Sequence, residues 1–166
     1  KFSRKKNSPI SINLIVSNNS HAKGLKFSKL YKIKKKVVNF KKSSLFEKKI
    51  LQTLKKNKIK FICLAGFMKL LSKKFIKNFR GKIINIHPSL LPKYRGLNTH
   101  VRVIKNNEKF SGCTVHFVTS KVDSGKIILQ KKVKIYKNDT PKKLSKRILF
   151  QEHKLYPVAI NKIFRS

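Results

Sequence analysis

Short apolar runs alternate along this chain with longer segments whose apolar residues recur at helical spacing. The runs predict strands at 10–16, 36–40, 59–65, 82–87, 111–119 and 126–136. The segments between and after them predict helices at 21–33, 43–57, 99–106 and 138–164. Strands and helices that take turns favour an α/β fold, Rossmann-like, with a mainly parallel sheet and helices on both faces. With 166 residues, 40% of them apolar, the chain is expected to form a single domain, residues 1–166, around one core.

The stretch NIHPSLLPKYRG, residues 85–96, interrupts this pattern with polar and turn-forming residues. Asn85 and His87 end the apolar run KIINIH, and residues two apart on a strand point to the same side. An amide and an imidazole are therefore predicted side by side at a strand tip, just before a proline-punctuated loop. Strand ends and the loops after them are where α/β sheets carry their chemistry.

The chain has only 5 acidic residues, so the position of each one is informative. Glu47 and Asp139 stand at predicted helix starts, with Glu47 in capping-box range of Ser44, and Glu108 lies in a polar turn. Asp123 and Glu152 have no such role. Asp123 lies in the VDSG loop between two predicted strands, where it can approach a histidine on a neighbouring strand end.

A carboxylate beside His87 would raise the pKa of the imidazole and keep the ring protonated at neutral pH. With the Asn85 amide, the ring would then offer two hydrogen-bond donors to an oxyanion on a tetrahedral carbon. The alternative is that Asn85 and His87 satisfy backbone groups at a strand end while Asp123 is a turn residue before Gly125. On spacing alone that alternative stands slightly ahead.

Other kinds of site find little support in the sequence. There is no GxSxG turn, Cys63 and Cys113 lack a CxxC spacing, and the histidines form no HxxxH pair, so no metal is expected. Both cysteines are predicted to be buried free thiols of a reducing compartment. No apolar run approaches the roughly 20 residues of a membrane span, and the first residues lack the apolar core of a signal peptide. A soluble, cytoplasmic protein is the expectation.

The net charge of +38 raises the question of nucleic acid. Lysine is spread over every segment, without one basic stripe or an aromatic-interleaved motif, which favours a compositional bias over a specific nucleic-acid site. Charge alone predicts some affinity for polyanions that salt should abolish.

Four blocks resemble a known family: FICLAGFMKLLS, INIHPSLLPKYRGLNTH, GCTVHFVTSKVDSGKIILQ and QEHKLYP. Together they resemble the phosphoribosylglycinamide formyltransferases of the folate-dependent formyltransferase superfamily, in register from about Ile12 to Phe164. The Asn-x-His and Ser-Leu-Leu-Pro block is shared across the superfamily. GLNTH, GCTVHFV and QEHKLYP favour the glycinamide branch.

The resemblance implies formyl transfer from 10-formyltetrahydrofolate to the amine of glycinamide ribonucleotide in purine synthesis, with small-molecule substrates and no metal. Asn85 would hold the formyl oxygen, His87 would act as the acid, and Asp123 would orient and charge His87. The residues implied to bind the folate, in addition to Asn85, are Met68, Lys69, Leu70, Leu71, Thr119, Ser120, Lys121, Val122 and Asp123. Those implied to bind or shape the ribonucleotide side are Pro88, Gly96 and Glu152.

Relatives in this family begin with a strand and a glycine-rich phosphate turn, whereas the opening residues of this chain resemble the segment that follows that turn and its helix. The expectation is an N-terminally truncated fragment, less stable than the complete enzyme and weak or inactive. Three alternatives stay open: methionyl-tRNA formyltransferase, formyltetrahydrofolate hydrolase and, more distantly, a basic nucleic-acid-binding module. The sequence leaves the oligomeric state open.

Overall fold

The computed structural model describes residues 2–38 and 43–165. The helices are α1 Lys26–Leu30, α2 Ser43–Lys56, α3 Lys73–Asn78, α4 Thr99–Lys105 and α5 Pro141–Arg165, with short 3-10 turns at Phe2–Arg4 and Lys23–Leu25. The strands are β1 Leu14–Ser17, β2 Lys34–Val37, β3 Phe61–Leu64, β4 Lys82–His87, β5 Phe110–Phe117 and β6 Ile127–Lys134. Every predicted strand and helix is present, and the last two residues of the predicted strand 36–40 lie outside the described residues. One helix, α3, is not among the predictions.

The described chain divides into two compact units. The first comprises the described residues up to Phe61 together with Leu71–Gly81, and the second comprises Ile62–Leu70 together with the described residues from Lys82 onward. In the first unit, β1 and β2 pair in parallel. Its buried apolar side chains are Val38, Phe46, Ile50, Leu54, Leu71, Phe75 and Phe79.

The contacts of Glu47 differ from the capping-box role at the start of α2 that the sequence predicted. Its carboxylate accepts hydrogen bonds from the Ser72 backbone N–H at 2.7 Å and from the Ser72 hydroxyl at 2.5 Å. Ser72 is itself the N-cap of α3, where its hydroxyl oxygen accepts the Phe75 N–H at 3.0 Å. Glu47 thus joins α2 to the start of α3, because a buried carboxylate needs donors and Ser72 supplies two.

The second unit contains a four-stranded sheet in the order β3-β4-β5-β6. β4 pairs antiparallel with β5, and β5 pairs antiparallel with β6. The register places Asn85 opposite His116 and His87 opposite Thr114. The core of this unit includes residues of β4, β5 and α5, with Ile84, Val115, Leu144 and Ile148 fully buried. Three of the 8 residues of β5, Ser111, Thr114 and His116, are polar and still at most 2% exposed.

β3 differs from its prediction. A continuous apolar run indicated a strand covered on both faces, yet each residue from Phe61 to Leu64 is half-buried or exposed. The reason is its place at the edge of the sheet, with β4 as its one neighbour among the described strands. Cys63 is therefore exposed, which makes its predicted burial wrong, whereas Cys113 is buried as predicted; both are free thiols.

Tyr156 ties α5 to this edge. Its hydroxyl lies 2.7 Å from the Leu64 carbonyl oxygen and 3.3 Å from the Ile84 carbonyl oxygen. A tyrosine that is buried along its ring usually finds a polar partner for its hydroxyl, and here the partners are on two adjacent strands. The helix is thereby held against the strand that carries the residues of interest.

Replacing Glu47 by glutamine should destabilise the first unit. Glutamine keeps the shape but brings its N–H₂ group against one of the two Ser72 donors and removes the negative charge from the other contact, so we expect a loss of about 1–3 kcal/mol in unfolding free energy. Urea denaturation followed by circular dichroism measures it. Lys48→Gln, on the exposed side of α2, is the control and should change stability by less than about 0.5 kcal/mol. Equal losses in the two variants would contradict the role given to Glu47.

Candidate active site

The end of β4 carries the two side chains that the sequence singled out. Asn85 is half-buried and His87 is 5% exposed. Their neighbours Ile84 and Ile86 are buried apolar residues on the other face of β4, so alternation turns Asn85 and His87 to one side. The loop that follows is anchored to the sheet: the Thr114 hydroxyl donates to the Ser89 carbonyl at 2.6 Å.

Both ring nitrogens of His87 face acceptors. Nδ1 lies 3.2 Å from an Asp123 carboxylate oxygen, and Nε2 lies 2.9 Å from the Tyr94 carbonyl oxygen. A neutral imidazole has one N–H, so it can satisfy one of these contacts, and the imidazolium satisfies both. Sequence patterns assign no role to Tyr94, because its placement follows from the loop path between Pro88 and Gly96, which no local pattern reveals.

Asp123 gathers these groups. One carboxylate oxygen accepts the Gly96 backbone N–H at 2.9 Å and faces His87, while the other lies 3.5 Å from Asn85 Nδ2 and 3.5 Å from His116 Nε2. Asp123 adopts a left-handed backbone conformation with φ 43°, which aspartate tolerates better than most residues. The structure therefore brings Asn85, His87 and Asp123 together from two separate segments.

His116 on β5 is a further residue of the site, and the sequence patterns did not predict it there. It is 2% exposed, and its Nδ1 lies 2.8 Å from the Phe117 carbonyl oxygen. In the neutral ring that donates Nδ1–H to this carbonyl, Nε2 presents a lone pair to Asn85 Nδ2 at 3.4 Å, whereas the doubly protonated ring donates through Nε2 to the Asp123 carboxylate at 3.5 Å. The contacts of Asn85 at 3.4 and 3.5 Å are at the long end of the hydrogen-bond range, so its amide is held weakly. Antiparallel pairing of GCTVHFV with KIINIH was the signal that could have found His116.

The charge state of His87 differs from the expectation. Burial lowers the pKa of His87 below its ordinary value, and this outweighs the Tyr94 carbonyl and the Asp123 carboxylate, which raise it. The ring is therefore neutral at neutral pH in the free protein. The expectation of a protonated His87 weighed the carboxylate and omitted the cost of desolvation.

Asp123 stays ionised. Burial alone would raise the pKa of its carboxyl, but hydrogen bonds from His116 and the Gly96 amide, with the nearby histidines, lower the pKa below its ordinary value. The site therefore pairs a carboxylate with a ring that is neutral at rest and has acceptors ready for a second proton.

The other residues predicted to bind the substrates lie in several different parts of the structure. Gly96 has φ 78°, and its amide is directed at Asp123; Pro88 is half-buried at the start of the same loop. Met68 is 71% exposed and Leu70 56%, while Leu71 is buried in the core of the first unit. Lys69 is exposed beside them.

The 119–123 loop is folded on itself. The Thr119 hydroxyl lies 2.9 Å from the Ser124 hydroxyl and accepts the Lys121 N–H at 3.3 Å. Ser120 and Lys121 are exposed, and Val122 is 47% exposed. Gly125 closes the loop where a Cβ atom would come within 1.8 Å of the Phe117 carbonyl oxygen, so only glycine fits.

Glu152 lies apart on α5 and is half-buried. Burial raises the pKa of its carboxyl above the ordinary value. It forms no hydrogen bond or ion pair with any described residue, and the structure shows no contact from it to Asn85, His87 or Asp123.

The described part of the chain contains neither a cluster of metal ligands nor a membrane-spanning helix. No group of three or more His, Cys, Asp or Glu side chains in it is arranged to hold a metal ion. None of its helices combines the length and apolar character that crossing a membrane requires.

Comparison with protein families matches residues 2–160 to the family described as formyl transferase. A phosphoribosylglycinamide formyltransferase from Haemophilus influenzae is 42% identical over 155 residues, covering 92% of this chain and 73% of the relative. The human trifunctional purine biosynthetic protein adenosine-3 is 39% identical over 160 residues, covering 95% of this chain. The chain spans 16% of that human protein's length.

Solved structures agree with the sequence comparison. The crystal structure of phosphoribosylglycinamide formyltransferase from Brucella melitensis superposes with a TM-score of 0.91 at 39% identity, over 99% of this chain and 86% of that one. The predicted α/β fold and the resemblance on which it was partly based are confirmed.

Replacing Asp123 by asparagine should lower the pKa of His87 further, because the carboxylate is one of the groups that raise it. Titration of the five histidine rings by NMR, with His87→Gln to assign the resonance, measures the shift. Glu108→Gln, which removes a carboxylate that does not act on His87, should leave the His87 pKa in place. An unchanged or higher His87 pKa in Asp123→Asn would contradict the electrostatic account of this pair.

Proposed function

The chain belongs to the formyl transferase family, and on that premise we propose that it moves a formyl group from 10-formyltetrahydrofolate to the amine of glycinamide ribonucleotide. The observation that carries the proposal is the convergence of Asn85, His87 and Asp123 at one end of β4, within 3.2–3.5 Å of one another through Asp123. The sequence similarity to phosphoribosylglycinamide formyltransferases supports the choice of acceptor.

The reaction requires one proton to change places. The amine nitrogen bonds to the formyl carbon, the bond from that carbon to the folate nitrogen breaks, and a proton passes from the amine to the folate nitrogen. A histidine whose pKa is lowered by burial is neutral before the reaction and can accept that proton. We infer that His87 takes the proton first and then returns it to the departing nitrogen.

The position of Asp123 determines which nitrogen of His87 exchanges the proton with the substrates. Asp123 holds Nδ1 at 3.2 Å, so Nε2 exchanges the proton and must give up its 2.9 Å contact with the Tyr94 carbonyl in order to reach a substrate. The imidazolium formed in passing is stabilised by the adjacent carboxylate. Burial strengthens that attraction, since the local dielectric is low.

Asn85 is the proposed donor to the developing oxyanion. Its present contacts are long, so turning its N–H₂ group toward a charged oxygen sacrifices little and gains a charge-assisted hydrogen bond. Asn85 lies on a strand, which fixes its backbone position better than a loop would.

The folate side of the site is proposed from exposed apolar side chains of the second unit. Met68, Leu70 and Val122 are 71%, 56% and 47% exposed, and a flat ring system would cover such surface favourably. The residues fit a pterin in character, since they combine apolar side chains with the backbone groups of the 119–123 loop. The donor itself supplies the formyl carbon and the leaving nitrogen.

Glu152 is the proposed contact to the ribonucleotide. A half-buried carboxylate without a partner in the described residues is costly unless a ligand supplies donors. The hydroxyl and amine groups of the acceptor substrate are donors of that kind.

Asn85→Ala should reduce turnover by about a hundredfold or more while the fold persists, since removing one oxyanion donor typically has that effect. Formyl transfer to glycinamide ribonucleotide, followed by the absorbance of the folate product, measures it; initiator methionyl-tRNA is the second acceptor to test. The matched control is Asn138→Ala on an exposed turn. Unaltered turnover in Asn85→Ala would refute its assignment. Transfer to methionyl-tRNA without transfer to glycinamide ribonucleotide would count against the proposed function itself.

Glu152→Gln should raise KM for glycinamide ribonucleotide by about tenfold, with a smaller change in KM for the folate, because one charged hydrogen bond is worth about 1.5 kcal/mol or more. Steady-state kinetics with each substrate varied in turn separates the two constants. Glu108→Gln removes another of the five acidic residues and should alter neither. Equal changes for both substrates would assign Glu152 a structural role.

A further inference from the structure

A basic groove with aromatic rings runs between β6 and α5, in the second unit. Its volume is about 490 Å³. The lining includes Lys132, Lys134, Tyr136, Lys146, Arg147 and Phe150. On α5 the spacing of residues 146, 147 and 150 places them on one helix face, and residues 132, 134 and 136 alternate along the strand and beyond its end.

A second groove, of about 580 Å³, meets the first at Lys132. It adds two aromatic rings and two lysines, namely Tyr94, Phe110, Lys93 and Lys109. None of the residues lining either groove is Asn85, His87 or Asp123. We call the two grooves together the β6 track; it meets the candidate active site at Tyr94, whose carbonyl oxygen lies 2.9 Å from His87 Nε2.

The rings of the β6 track are paired with cations. The Lys132 ammonium lies 3.7 Å from the Phe110 ring centroid, the Lys154 ammonium 4.1 Å from that of Phe150, and the Arg147 guanidinium 4.7 Å from that of Tyr136. These distances are within the range of cation–π attraction. Each ring is therefore held by a positive charge on one side.

The same rings stay open to solvent. Phe110 is 39% exposed, Tyr136 55% and Phe150 56%. Exposed apolar surface that is concentrated in one place often marks an interaction site, and here three large exposed aromatic side chains lie along one basic track. They offer flat faces on which further rings can stack.

Positive charge dominates the β6 track. Two acidic residues stand near it, and both are already engaged: Asp139 pairs with Arg147, and Glu108 binds the Lys93 ammonium at 3.1 Å and the Tyr94 hydroxyl at 2.8 Å. The lysines at 109, 132, 134 and 146 form no ion pair with any described carboxylate. A ligand with repeated negative charges would complement them.

We propose that the β6 track binds single-stranded nucleic acid without sequence preference. Phosphates contact the lysines, and bases stack on Phe110, Tyr136 and Phe150, which is how known single-strand sites combine a basic groove with aromatic platforms. A duplex keeps its bases stacked inside and cannot use the rings. The sequence did not reveal this surface because its aromatic and basic residues come from positions 93–154 and meet through the pairing of β5, β6 and α5.

The first test separates the β6 track from general charge. Anisotropy of a fluorescein-labelled 12-nucleotide oligo(U) gives the affinity at two salt concentrations for the intact chain and two triple variants. K132Q/K134Q/K146Q should weaken binding at least tenfold and reduce the salt slope by about 2, at about 0.7 per lost phosphate contact. K34Q/K35Q/K36Q on the exposed β2 removes equal charge and should weaken binding less than threefold. Equal losses would overturn the proposal.

The second test isolates stacking. Y136S/F150S should weaken oligo(U) binding by on the order of tenfold, through the loss of base stacking, while binding of inorganic polyphosphate, which has no bases, stays unchanged. F150L keeps the apolar volume and therefore the packing of α5, but removes the aromatic ring. It should still bind oligo(U) more weakly than the intact chain, which separates the loss of stacking from a loss of folding. Unchanged oligo(U) binding by both variants, or a duplex RNA bound as tightly as the single strand, would overturn the proposal. An oligo(dT) of equal length should bind comparably, and binding of one of the two alone would refute the claim of a general single-strand site.

Discussion

The carboxylate of Asp123 is the contact on which the candidate site depends. It joins three parts of the second unit: the amide of Gly96 on the loop after β4, His87 at the strand tip and His116 on β5. Asp123 reaches them from a left-handed backbone position in a loop closed by Gly125, where no side chain fits. Geometry this restricted explains why one short loop can hold the imidazole at a fixed distance.

Burial and charge oppose each other at His87, and burial prevails in the free protein. This reverses the role that a simple carboxylate–imidazole pair suggests, because in the proposed mechanism the ring is a proton acceptor first and a donor afterwards. The two acceptors at Asp123 and Tyr94 matter most after protonation, when both N–H groups exist. A ring of this kind stays neutral at rest, and the carboxylate beside it stabilises the positive charge only as that charge forms.

Local patterns predicted the strand 82–87 to the residue and the helices of the second unit to within three residues. They could also point to Asn85, His87 and Asp123, because strand alternation and scarce acids are visible in sequence. What they missed arises between distant segments. The exposure of β3 follows from its edge position, Ser72 caps α3 with help from Glu47 of another helix, and the β6 track assembles only when β5, β6 and α5 pack.

The five acidic residues sharpen the functional argument. In a chain of net charge +38, each carboxylate has many cations available, and four of the five form the contacts described here: Glu47, Glu108, Asp123 and Asp139. Glu152 alone has no such contact in the described residues, although it is half-buried and its carboxyl pKa is raised by burial. Leaving a buried carboxylate unpaired costs stability, and this cost is the physical basis for proposing that a ligand supplies donors to Glu152.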